Sequence, residues 1–351
     1  MQGSSTSNGC PCCAFVGMEL FLPESERAKK QEEVPQECAE EGGATVVDLA
    51  QSMTELLHVD RPIVIVDTHG HAQLHRDRDA TYDVSTLEQR IKLQQLACAV
   101  EPCDFSTTLD YAAGSDTILP ALGVHPWYIE TLLEDSEDKW LQELERLLVQ
   151  HPRAIVGEIG LCKIAKWTRL FEQGKAAAMG IQTKVMQQQM RLAAKLKRPV
   201  TVHCVSAHGV FVKALKELVV EDPSQIPPAI GMHSFTGTAH HVQELLDLEK
   251  HVLRRNCDDN PPTPPLFYFG FSHAVNYAMC LSEKSRKKGM EAVRAVPADR
   301  LMVESDVHHP DDVLGGTVGA IAYVAAARNE SVVALANATA RNGMTFLMQR
   351  E

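Results

Sequence analysis

The rhythm of apolar and polar positions changes near residue 60. Before it, Ser and Gly dominate residues 2–9, and Pro23 to Gly43 is rich in Glu and Lys. One apolar run there, Val46 to Leu57, predicts a helix lying on the main body. From Arg61 onward, short apolar runs alternate with stretches whose apolar residues recur every three or four positions. Ile63-Val64-Ile65-Val66 reads as a strand covered on both faces, the sort found in parallel sheets. Further strands are predicted at Ala97–Val100, Ile118–Gly123, Ala154–Glu158, Pro199–Val202, Ala229–His233, Phe267–Gly270 and Leu301–Val303. Helical spacing lies between several of them, at Trp140–Val149, Val185–Leu196, Val210–Val220, Val242–Leu248 and Gly319–Ala327. Cys162–Ala178 and Arg254–Pro265 read as long loops, the second because Pro261, Pro262, Pro264 and Pro265 exclude helix and central strand. Eight strands joined by crossovers over residues 61–351 fit an α/β fold, a (β/α)8 TIM-type barrel, with a doubly wound sheet as the alternative. Residues 1–60 are then an N-terminal extension without chemistry of its own, open to a protein partner.

Composition narrows the functional classes. In 351 residues, 44% are hydrophobic and 23% charged, the mix of a globular protein rather than a disordered chain or coiled coil. Lys and Arg number 34 against 46 Asp and Glu, a net charge of −12, which speaks against a broad duplex-binding surface. Aromatic residues make up 5%, which speaks against a base-stacking platform. No apolar run approaches the roughly 20 residues of a membrane span. Residues 1–22 lack a basic start and are interrupted by Glu19, so no signal peptide is expected. The ten cysteines, apart from Cys10, Cys12 and Cys13, are scattered singly and predict reduced thiols in the cytoplasm or nucleus.

The candidate chemistry gathers at the strand ends. The first strand runs into Asp67-Thr68-His69-Gly70-His71, the third into His125-Pro126-Trp127, and the fourth ends at Gly157-Glu158. The fifth delivers His203, the sixth His233, and the last runs into Glu304-Ser305-Asp306. In a barrel these ends converge on one rim, where active sites are built. His69 and His71 share one side of an extended strand because side chains repeat with period two. Taken singly, each has a bland reading: a buried histidine, a helix-end charge, a cap. Together, four histidines and two carboxylates form a donor set that divalent transition metals favour. Six ligands exceed what one catalytic tetrahedral ion uses, and suit two ions (Mg, Mn or Zn) bridged by Glu158. Such ions would acidify a water for in-line displacement, with Asp306 holding or deprotonating it.

This ordered set resembles the TatD-like metal-dependent hydrolases of the amidohydrolase-type barrels. The likeness rests on Asp67-Thr68-His69-Gly70-His71, Gly123-Val124-His125-Pro126 and Gly157-Glu158-Ile159-Gly160-Leu161. It continues through Pro199-Val200-Thr201-Val202-His203-Cys204, His233-Ser234-Phe235-Thr236-Gly237-Thr238, Tyr268-Phe269-Gly270-Phe271-Ser272 and Val303-Glu304-Ser305-Asp306. The resemblance implies phosphodiester hydrolysis, often as a DNase with exonuclease character, with DNA or another phosphodiester held at the metals. It implies His69, His71, Glu158 and Asp306 on the first metal and Glu158, His203 and His233 on the second. His125 would lie near the water or phosphate, giving Asp306, Glu158 and His125 as the catalytic residues. Three positions depart from the family pattern: Cys162 where Asp is usual, Val205 where Arg is common, and Val307-His308-His309 where Pro-Tyr often follows. His308 is the candidate substitute for substrate contact; His75, His208, His240, His241 and His273 are read as structural or surface. The alternatives are a small-molecule amidohydrolase or phosphoesterase, and a binding protein that keeps the metal cage.

Overall fold

The computed structural model describes residues 48–75, 90–133, 138–253 and 264–349. Eight parallel strands follow one another around the sheet in chain order, each paired with the next. They are β1 (Ile63–Gly70), β2 (Ile91–Cys98), β3 (Ile118–Leu122), β4 (Ile155–Cys162), β5 (Val200–Val205), β6 (Ile230–Met232), β7 (Phe267–Ser272) and β8 (Leu301–Glu304). The ring closes where the Thr68 hydroxyl donates to the Val303 carbonyl at 3.0 Å and the Asp306 amide donates to the His69 carbonyl at 3.0 Å. The helices are α1 (Leu49–Leu57), α2 (Phe105–Ala113), α3 (Lys139–Gln150), α4 (Lys166–Leu170), α5 (Lys175–Lys195), α6 (His208–Glu221), α7 (Ala239–Leu253), α8 (Glu283–Ala295), α9 (Val313–Arg328) and α10 (Val332–Met348). This is the expected (β/α)8 architecture.

Three local expectations are corrected. The second strand begins six residues earlier than predicted, because Lys92, Gln94 and Gln95 break the apolar run that marks the others. The predicted loop over Cys162–Ala178 contains the one-and-a-half-turn α4 and the start of α5. Val64, read as covered on both faces, is 38% exposed. The predicted loop over Arg254–Pro265 lies almost wholly outside the described residues, as do Cys10, Cys12 and Cys13.

The core divides into two zones. A large cluster lies between strands and helices, with Phe211, Leu215, Met186 and Leu144 buried in it. A smaller one inside the barrel joins Val66, Leu96, Ile155, Tyr268 and Met302 to Phe346 and Leu347 of α10. The inner face of α5 carries two buried glutamines at i and i+7, so both lie on the barrel side. Gln189 accepts from the Val124 amide at 2.8 Å and donates to the Val124 carbonyl at 3.2 Å. Gln182 does the same for Cys162, at 2.7 and 3.1 Å. Gln189 satisfies backbone just past the end of β3, at the turn that bears His125, and Gln182 satisfies the last residue of β4, the strand of Glu158.

Candidate metal centre

The side chains at the strand ends meet around one carboxylate. Glu158 Oε2 lies 3.3 Å from His69 Nε2 and 3.3 Å from His71 Nε2. Its Oε1 lies 3.0 Å from His203 Nδ1, 3.3 Å from His125 Nε2 and 3.4 Å from His233 Nε2. Asp306 approaches from β8, 3.9 Å from His71 Nε2 and 3.8 Å from His233 Nε2. All seven predicted site residues from His69 to Asp306 are thus in one cluster. Three overlapping donor groups can be drawn within it: His69, Glu158 and His233; His69, His71 and Asp306; His125, Glu158 and His203. The grouping differs in detail from the sequence reading. His125 stands among the donors rather than outside them, and His233 pairs with His69, whose ring it stacks at 3.6 Å.

The supporting bonds decide which nitrogen faces inward. His71 Nδ1 donates to the Cys98 carbonyl at 2.8 Å, and His233 Nδ1 donates to Glu304 Oε1 at 3.0 Å. A carbonyl and a carboxylate only accept, so both rings carry their proton on Nδ1. When neutral, they present an Nε2 lone pair to the centre. His69 Nδ1 is held by the Thr201 hydroxyl at 3.0 Å, again leaving Nε2 inward. His203 Nε2 is buried with no hydrogen-bond partner. Lone pairs aimed at a carboxylate 3.3 Å away repel it, and imidazole nitrogens turned inward by such outer partners are the hallmark of metal ligands. The donor set therefore fits divalent cations. Cations would also satisfy what the protein alone does not.

The electrostatics agree. Burial works against an ionised Glu158, but the imidazoles of His125, His233 and His69 outweigh it and hold the carboxyl well below its usual range. Burial also opposes a charged His233, yet Asp306, Glu158 and Glu304 push its imidazole up to about 10. His203 is pushed up to about 9 against burial, by Cys162 and Glu158. His125, which burial dominates, falls to about 4. The site is an assembly of anions seeking positive charge, supplied here by protons.

Several contributors carry no simple sequence signal. Glu304 takes the His233 ring and the Ser234 amide. Asp67 accepts from the Ser305 amide at 2.8 Å and hydroxyl at 2.6 Å, and burial pushes its carboxyl up to about 7. Ser234 bridges Ser272 at 2.7 Å and Asp306 Oδ2 at 3.0 Å. Thr201 is the exception: it stands two residues before His203 on β5, and period two along that strand would have picked it out. Ser234 and Asp306 both have left-handed backbones, φ 35° and 53°, so the chain is locally forced at the site. Of the departures, Cys162 accepts from the Trp127 indole at 3.1 Å, and His308 stacks on His71 at 4.8 Å.

An eight-stranded parallel barrel with histidines and carboxylates converging on the C-terminal rim is the architecture of a metal-dependent hydrolase. Comparison with known proteins makes the family definite. The profile of the TatD related DNase family matches residues 66–347, and the chain belongs to that family, a group of divalent-metal hydrolases acting on phosphodiester bonds. The Cut9-interacting protein scn1 of Schizosaccharomyces pombe is 24% identical over 267 residues, 56% of this chain and 73% of that protein. The human 3'-5' RNA nuclease TATDN2 is 26% identical over 251 residues, 69% of this chain but only 28% of that longer protein. Among solved structures, the TatD homologue YjjV of Escherichia coli K12 superposes with a TM-score of 0.56 at 19% identity, covering 80% of this chain and 97% of that one.

Proposed function

We propose that this chain is a two-metal nuclease that hydrolyses phosphodiester bonds of DNA or RNA. One observation carries the reading: five buried imidazole nitrogens lie within 3.0–3.4 Å of a single carboxylate, Glu158. His69, His71, Glu158 and Asp306 would hold one ion, and Glu158, His203 and His233 the other; His125 is close enough to join the second or to meet the phosphate. The ions, when bound, lower the pKa of water and neutralise charge building on the phosphoryl oxygens. The protein's own residues do the rest. Asp306 Oδ1 stands free of the Ser234 bond and accepts the proton of the attacking water. Glu304 keeps the His233 ring in one tautomer and the Cys98 carbonyl does so for His71, while Thr201 orients the His69 ring with Nε2 inward. Water oxygen forms the new bond to phosphorus as its proton passes to Asp306, the bond to the leaving oxygen breaks, and that oxygen takes a proton from solvent water, to which Asp306 returns its own. His308, over the face of His71, is placed to meet the substrate's phosphate.

The test is Glu158→Gln. The variant should melt near the wild-type temperature but retain fewer than two equivalents of metal by elemental analysis, with hydrolysis of single-stranded DNA, duplex DNA, RNA and a generic diester all lost. Normal turnover with two bound ions would overturn the bridging assignment.

A further inference from the structure

Cys162 stands where the family usually has Asp, at the last position of β4. A buried cysteine has a bland reading as a small apolar filler. The surroundings of this one are polar. In the β4–β5 register Cys162 pairs with Val205, two residues after His203, so its side chain shares the face of the sheet that carries His203. Cys204 pairs with Leu161 and faces the other way, and both thiols are free. Cys162 is fully buried, and its sulfur accepts from the Trp127 indole at 3.1 Å. Its backbone is clamped by Gln182 of α5, which takes the amide at 2.7 Å and the carbonyl at 3.1 Å. A helix behind the strand therefore fixes where the sulfur sits.

His203 meets that sulfur with its outer nitrogen. The residue is only 8% exposed, and its Nδ1 lies 3.0 Å from Glu158 Oε1. Nε2, across the ring, is buried and has no nitrogen or oxygen partner among the described residues. Burial works against charge on this imidazole, while hydrogen bonds to Cys162 and to Glu158 work for it. Glu158 takes Nδ1, so the sulfur contact falls to Nε2. Sulfur is a weak acceptor, which is why this contact is the loosest of its kind here. It completes a series. His71 leans on the Cys98 carbonyl, His233 on Glu304 and His69 on Thr201, each through the nitrogen turned away from the centre. The same sulfur, through Trp127, ties down the turn that follows His125. Both imidazoles held in this way, His125 and His203, close on Glu158 Oε1, at 3.3 and 3.0 Å.

We infer that Cys162 is a positioning residue for the second metal: its sulfur replaces the family's carboxylate as the outer acceptor for His203 and keeps Nδ1 turned toward Glu158. The inference rests on the two-metal reading above. A filler and an acceptor respond in opposite ways to substitution. Ala suits an apolar space and offers no acceptor. Asp is costly in an apolar space, yet here it would serve the N–H groups of Trp127 and His203.

Titrating the metal-free full chain with Zn²⁺ against a chromogenic chelator yields a dissociation constant for each equivalent bound, and thermal melts in EDTA check folding. Wild type should take two equivalents. Cys162→Ala should weaken one of them by about 10- to 100-fold, the usual cost of losing an outer partner, and leave the other nearly unchanged. Cys162→Asp should bind both as wild type does, rescuing what Ala loses. Cys162→Ser keeps an acceptor at nearly the same volume; it should lie between the two, and it carries the test if either of the others melts early in EDTA. Two wild-type equivalents in Cys162→Ala and in Cys162→Ser would make the sulfur a filler, overturning the inference and leaving the two-metal reading intact. A wild type that takes only one equivalent would overturn the two-metal reading, and the inference with it.

Discussion

Asp306 is the residue on which catalysis and mere metal holding part company. Burial would raise its carboxyl, but His233, His69 and His71 outweigh it and hold the group below its usual range, so it is ionised through neutral pH. Asp306→Asn keeps the shape and one oxygen donor but cannot take a proton. Turnover should fall by about 10²-fold or more, as for loss of a general base, while elemental analysis still finds part of the metal. Unchanged turnover would move the proton to another acceptor. A second residue-scale effect lies away from the centre. His208 Nε2 is buried without a partner, and burial, helped by the stacked His241 ring at 4.5 Å, lowers its imidazole to about 4. A histidine kept neutral in the fold binds its proton more readily when unfolded, near the ordinary 6.5. Its stabilising contribution is complete above about pH 6.5 and is lost as pH falls from there toward about 4. His208→Leu should flatten that acid limb in urea melts run against pH; an unchanged slope relative to wild type would remove His208 from the account.

At the scale of elements, the strand ends were readable because the chemistry of a barrel rim is carried in short apolar runs followed by His, Glu or Asp. His69, His71, Glu158, His203 and Asp306 follow such runs, and their convergence needed only the fold. Elements whose faces are mixed escaped notice. The first half of β2 mixes Lys92, Gln94 and Gln95 with Ile91 and Leu93, and α8 (EKSRKKGMEAVRA) buries only Ala292 and Val293, so neither stands out as an apolar run or stripe. The inward face of α5 was obscured because Gln182 and Gln189 serve backbone groups there instead of packing as apolar residues. Which ring nitrogen points at the centre was also illegible, since it is set by the Cys98 carbonyl, Thr201 and Glu304, residues with no fixed spacing from their partners. One glycine shows how an element supports the site from behind. A methyl group on Gly270 in β7 would overlap the Glu304 carboxylate of β8. Gly270→Ala must therefore displace Glu304 and release the His233 ring it orients. We expect metal affinity to drop by about 10- to 100-fold, the usual cost of losing an outer partner, with circular dichroism unchanged. Wild-type metal affinity in this variant would show that Glu304 has room to yield.

For the molecule as a whole, the open question is where the barrel begins. α1 caps itself, with Asp48 Oδ1 accepting from the Gln51 amide at 2.8 Å. It packs on α9 and α10, with Leu56 fully buried and Met53 and Leu57 against the same core. Arg90, at the entry to β2, holds the helix end by donating to the Leu57 carbonyl at 3.0 Å and the Val59 carbonyl at 3.1 Å. We therefore propose that the hydrolase unit starts at Asp48, so that the extension set apart by composition is residues 1–47. Removing residues 1–47 leaves the cap, the buried leucine and every donor of the metal cluster in place. That truncation should keep metal content and turnover, with a melting temperature within a degree or two of the full chain. Removing residues 1–60 uncovers the α9–α10 face. Losing one fully buried leucine costs about 2–5 kcal/mol through transfer and cavity terms, and Met53 and Leu57 go with it. For a domain this size, about 1 kcal/mol shifts the midpoint by roughly 2–4 °C, so the second truncation should melt at least about 5 °C lower. Its metal centre keeps every donor, all carried by residues from His69 onward, and should still bind its ions. Equal melting of the two truncations would mean that α1 rests on the barrel without stabilising it, and a loss of metal from the first would mean that residues 1–47 reach the rim.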